Sequence, residues 1–226
     1  MAVHTATSVD AGWERRSGWG GIAFVALVVG WSIVLIAADR PGFGDSPEEI
    51  MSFFGDGGDS GWLFLSSTFL GLGGLVFLPF LGGLRSILRR AESGTGQLSA
   101  VAFGAGVVFV GLLFAKNSID LGMAMAVEWE DVEVDPATYQ LLDGVFTGLL
   151  MHEGVALGVL VGATSVIALR TAVFARWLAW SGLAVAILSV LSLLLFGIPL
   201  ILDLAWVLVI SALIVRGAER TAAASV

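Results

Sequence analysis

The chain has 226 residues, 57% of them hydrophobic and only 13% charged, about half the charge fraction of a soluble domain. No cysteine is present, which excludes disulfides, thiolate metal sites and a cysteine nucleophile. Two histidines, one of them His4 in the polar N-terminal stretch, argue against a bis-histidine haem, and a net charge of -8 argues against a nucleic-acid partner.

Apolar runs long enough to cross the ~30 Å hydrocarbon layer recur along the chain. Six predicted spans fit: Trp19 to Ala38, Gly61 to Leu84, Ser99 to Ala115, Leu149 to Leu169, Trp177 to Phe196 and Ile198 to Val215. The expected class is an all-α integral membrane protein, with its transmembrane domain over 18–216 and polar tails at 1–17 and 217–226. The first span is too long for a signal peptide, and no clear small-x-small site precedes Asp39, so it reads as a retained helix. Trp19, Trp62, Trp177 and Trp180 stand at span ends, where indole rings anchor in the headgroup belt.

Charge alternates between span ends. Arg15, Arg16, Arg85, Arg89, Arg90, Arg170, Arg176, Arg216 and Arg220 fall on one side, leaving Arg40 and Lys116 near the other. An excess of basic residues in short loops marks the cytoplasmic face, so both termini are expected in the cytoplasm of a cell-membrane protein.

Two longer connections lie on the opposite side. In "GFGDSPEEIMSFFGDGGDSG", Ser46, Pro47 and Glu49 make a capping-box start for a short extracytoplasmic helix. Ile50, Met51, Phe53 and Phe54 then share one side of it, suited to the interface or to covering the bundle's outer mouth. In "VEWEDVEVDPATYQLLDG", Asp135 and Pro136 again mark a helix start. A helix from Pro136 to Leu169 is about 51 Å long. If the third span also continues to about Ala126, the two project as a hairpin with an acidic tip. The acidic run reads as a solvated loop and lacks regular calcium-loop spacing.

Inside the fourth span, Gly154, Gly158 and Gly162 form a small-residue ladder, extended upstream by Gly144 and Gly148. Such ladders let two backbones approach closely in lipid, here with a neighbour in the same chain or in a second copy. No inverted repeat is visible, so that transporter signature is missing.

A few ionisable residues fall within or beside spans. Counted from the arginine-flanked ends at 1.5 Å per residue, His152 lies about 27 Å up, Glu153 and Lys116 about 25 Å, Asp120 about 31 Å and Asp203 about 20 Å. Lys116, Asp120, His152, Glu153 and Asp203 form the candidate polar cluster, with Glu153 or Asp203 as the expected ionic partner of Lys116. Glu153 points away from the glycine ladder, so a buried Glu153 requires protein on two sides of its helix. No metal site and no cofactor are expected, and no nucleophile elbow, P-loop or histidine-rich metal helix appears.

The stretches "LGGLRSILRRAE", "DPATYQLLDG" and "ALRTAVFARWLAWSGL" are similar to those of an actinobacterial class of multi-spanning membrane proteins of unknown function. The resemblance covers most of residues 18 to 218 in its order of features. It implies the architecture and carries over no catalytic residue. Three functions stay open: a non-enzymatic sensing, scaffolding or partner-assisting protein; a small-solute or ion transporter using the outer polar cluster; an intramembrane enzyme on a lipid-linked substrate.

Overall fold

The computed structural model describes residues 8–42, 44–55, 59–92, 94–130, 132–194 and 199–223. Among these, the chain is helical throughout: α1 (Ser8–Ala37), α2 (Pro47–Phe54), α3 (Trp62–Ala91), α4 (Gln97–Glu130), α5 (Pro136–Thr171), α6 (Arg176–Val190), a 3-10 turn (Leu191–Leu193) and α7 (Leu200–Ala223). Five of these helices, α1, α3, α4, α5 and α7, are long and apolar enough to cross a membrane. The protein is therefore of the membrane-embedded, multi-pass kind. The fifth expected span corresponds to α6, which has 15 residues and falls short of that length, and the sixth corresponds to α7. Residues 195–198, where the fifth expected span ends and the sixth begins, lie outside the described residues, as do His4 and Asp131.

Residue chemistry sets several helix ends. The Ser46 hydroxyl accepts from the Glu49 N–H while Glu49 accepts from the Ser46 N–H, which completes the capping box of α2. Asp135 caps α5 by accepting from the Thr138 N–H at 2.9 Å. Those bonds, first the one from the Thr138 backbone, hold its carboxyl below the usual aspartate range. Glu92, just past α3, accepts from the N–H groups of Leu98 and Ser99 and so caps α4 from outside. Ala172 ends α5 in the left-handed region at φ 55°, a conformation that usually selects glycine.

Two expected tails are partly helical: α1 begins at Ser8 and α7 runs to Ala223. On α2, Ile50, Phe53 and Phe54 are buried, whereas Met51 is 51% exposed. The buried three pack with Leu63, Met123, Ala124 and Tyr139, so α2 lies against the joined ends of α3, α4 and α5.

α1 packs between α3 and α7, α4 lies between α3 and α5, and α6 lies against α5. Phenylalanines dominate the centre: Phe24, Phe77, Phe80 and Phe109 form a continuous ring cluster between α1, α3 and α4. Small residues permit close approach elsewhere. A Cβ placed on Gly20 would lie 2.7 Å from the Val76 carbonyl oxygen, so the backbones of α1 and α3 approach closely there. α5 is the most enclosed of the long helices, with 61% of its apolar window buried.

Candidate functional site

Charges meet at one end of the bundle, beneath α2. The connection after α1 carries Arg40, whose Nη2 donates to Asp120 Oδ1 at 2.8 Å and whose Nη1 donates to Asp143 Oδ1 at 2.8 Å. Its Nε reaches Asp120 Oδ1 as well, at 3.3 Å. The three side chains are 9%, 2% and 4% exposed, so this is a buried ion triad. Burial works against the guanidinium charge; Asp120, Tyr139 and Asp143 outweigh it and hold Arg40 above its ordinary pKa. Tyr139 also donates its hydroxyl to the Pro41 carbonyl, which fixes the connection that presents Arg40.

One turn down α4, Lys116 Nζ donates to Glu153 Oε2 at 2.9 Å, both side chains being nearly inaccessible. The ammonium lies 4.7 Å from the Trp31 ring centre and 5.4 Å from that of Phe146. Arg40 Cζ lies 4.6 Å from the same Phe146 ring. Phe146 is thus shared by both cations, whose attraction to its π-face replaces some of the water they lose. The two ion groups form one network of five charged side chains from the α1–α2 connection, α4 and α5.

The positions follow from helical periodicity. Lys116 and Asp120 are four apart on α4, and Tyr139, Asp143, Phe146 and Glu153 follow spacings of four, three and seven on α5. Each set therefore forms one stripe, and the two stripes face each other. The opposite side of α5 meets α6: a Cβ on Gly158 would lie 2.7 Å from Ser189 Cβ, and one on Gly162 would lie 3.2 Å from Ala186 Cβ. Glu153 and these glycines thus address different neighbours.

The structure divides the candidate cluster. It brings Lys116 to Glu153 and sets Asp120 beside them, but on Arg40 rather than on Lys116. Asp203 bonds to Ser189 Oγ at 2.7 Å and forms no ion pair with Lys116. The reason is its helix: α7 packs on α1, α5 and α6, away from α4. His152 is exposed, and its Nδ1 contacts the Gly148 carbonyl of its own helix at 2.7 Å. Of the ladder residues, Gly154 and Gly158 are buried; Gly144 and Gly148, read as its extension, have nothing within 4 Å of an added Cβ. Arg40, Asp143, Tyr139 and Phe146 belong to the site and were not among the expected residues.

Three cavities among the described residues are lined without the four charged residues of α4 and α5. One of 360 Å³ near Arg40 is bounded by Ala38, Asp39, Asp45, Glu49 and Asp59. One of 620 Å³ lies at the arginine-flanked end, beside the ion pair of Glu14 with Arg90. The third, of 340 Å³, is an apolar groove between α5 and α6. No cluster of three or more metal-ligating side chains exists among the described residues. No family model, no curated protein and no solved structure matches the chain at a significant level.

Proposed function

We propose that the chain is a non-enzymatic membrane protein, with a scaffolding, sensing or partner-assisting role. In this reading it crosses the bilayer six times, with α6 as a short crossing and both termini in the cytoplasm. α2 and the joined ends of α4 and α5 then face outward, and the five-charge network locks that outer end. Architecture of this kind is what the resemblance to actinobacterial multi-spanning proteins implies.

The observation that carries the reading is that each charged side chain of the network has its opposite charge within it. Arg40 has two carboxylates, Lys116 has one carboxylate and two rings, and the three cavities described above are lined by other side chains. Charges so arranged hold helices in register; they do not present a reactive group to a substrate. A transporter reading draws on a single feature: Glu153 Oε1 is buried without a partner.

Purified protein in liposomes loaded with a pH-sensitive dye separates the two. Proton and solute leakage equal to that of empty liposomes supports the scaffold. Flux that Glu153→Gln abolishes would replace it with transport. Cysteines at Thr95 and Glu219 test the crossing number, since six crossings put these positions on the same side of the membrane and five put them on opposite sides.

A further inference from the structure

Asp203 is the most deeply buried carboxyl outside the network. It has no accessible surface, and its Oδ1 has no partner among the described residues. Its Oδ2 lies 2.7 Å from Ser189 Oγ, and Ser189 Oγ also lies 2.8 Å from the Val185 carbonyl oxygen. A serine hydroxyl has a single hydrogen. Were Asp203 a carboxylate, that one hydrogen would have to serve two acceptors, leaving one close oxygen–oxygen contact without a proton between them. If Asp203 carries a proton, each contact has its own: Asp203 donates to Ser189, and Ser189 donates to Val185.

The charged surroundings agree. α7 packs against α1, α5 and α6. From Ser17 to Ala37, α1 has no titratable residue, and the basic residue of α6, Arg176, lies thirteen positions before Ser189, about 20 Å along the helix. On α5, Glu153 is engaged by Lys116, His152 is exposed on its own helix, and Arg170 lies near the far end. No ion pair reaches Asp203 among the described residues. The start of α7 offers a favourable dipole, but the Asp203 N–H is spent on the Pro199 carbonyl, and among the described residues no backbone N–H reaches its carboxyl. The dipole of a helix start is worth much less than the cost of burying an unpaired ion.

We propose that Asp203 and Ser189 form a proton-binding site between α7 and α6, with Asp203 held as the neutral acid in the folded protein at neutral pH. The site is separate from the charge network and does not depend on the scaffold reading. Losing the proton would leave an anion facing a committed hydroxyl, so release requires the end of α6 to part from the start of α7 and admit water. Proton occupancy is thereby coupled to the packing of these two helices.

Infrared spectroscopy of the folded protein, with aspartate carboxyls carbon-13 labelled, tests this. At neutral pH the expected result is a protonated-aspartate carbonyl band that disappears in Asp203→Asn. In Ser189→Ala the band should move to higher frequency, because the acid has lost its acceptor; this arm stands even if the first variant fails to fold. Absence of any protonated-aspartate band in the unmodified protein overturns the proposal. So does a band unchanged in both variants, or one that sodium ions abolish at constant pH, which would make this a cation site.

Discussion

α5 is held in two different ways on its two sides, and the contrast shows what each kind of contact can do. Toward α4 it meets ions: Asp143 and Glu153 on one helix, Arg40 and Lys116 on its neighbours. Toward α6 it meets small side chains, with Gly158 and Gly162 against Ser189 and Ala186. The ionic side specifies register, because each charge needs one particular partner and an alternative pairing leaves a buried ion alone. The small-residue side specifies distance, because any added carbon forces the helices apart. A helix with ions alone could pivot about them; one with glycines alone could slide.

The comparison breaks most severely at Arg40. Arg40→Met leaves Asp120 and Asp143 facing each other without a cation, and is expected to destabilise the protein by about 3–5 kcal/mol. Thermal unfolding in detergent should show this loss, with Arg40→Lys recovering only part of it, since a lysine lacks the planar fork that serves both carboxylates.

Lys116→Met comes next. It strands one carboxylate rather than two, and Glu153 can relieve the loss by taking up a proton. The double variant Lys116→Met with Glu153→Gln should regain stability relative to the single one. A coupling of about 0.5–3 kcal/mol in the cycle is expected; strictly additive effects would mean that the pair does not set the register of α4 on α5.

On the other side, Gly158→Leu should cost about 1–3 kcal/mol, since its first carbon already falls within 3 Å of Ser189. Gly144→Leu, facing open space on the same helix, should leave stability within about 0.5 kcal/mol of the unmodified protein. Equal losses for the two would remove the distinction between a packed and an unpacked glycine on α5.

The smallest effect sharpens the comparison at its edge. Ser46→Ala removes the cap of α2, costing about 1 kcal/mol. Because α2 lies over Tyr139, hydrogen exchange should quicken in the α1–α2 connection and leave the α5–α6 contact unchanged.

Much of this could be read from residue order. Hydropathy located the long helices, and Ser46-Pro47 and Asp135-Pro136 located two starts, because capping acts over three residues and needs no tertiary context. Lys116 and Glu153 stood out as single charges in apolar surroundings, and counting residues put them at one depth. Arg40 was illegible because it follows Asp39 in a connection, where a base is ordinarily solvated. Asp143 was hidden among the acidic residues of "DPATYQLLDG". Its spacing from Tyr139, Phe146 and Glu153 was the available signal, a single stripe of mixed chemistry that a search for apolar periodicity passes over. Asp203 misled for a different reason: depth gives one coordinate of three, and α7 sits on the wrong side of α5 to reach Lys116.

α5 has 36 residues, about 54 Å of continuous helix. Its first turns carry Tyr139 and Asp143, and Val173 and Phe174, just past its last turn, line the cavity at the arginine-flanked end. The helix thus links a charged clasp at one end to the walls of a cavity at the other. A pivot of about 4° around its middle moves both ends about 2 Å in opposite senses over that length. Loosening the clasp is therefore expected to displace the walls of that cavity through α5 alone.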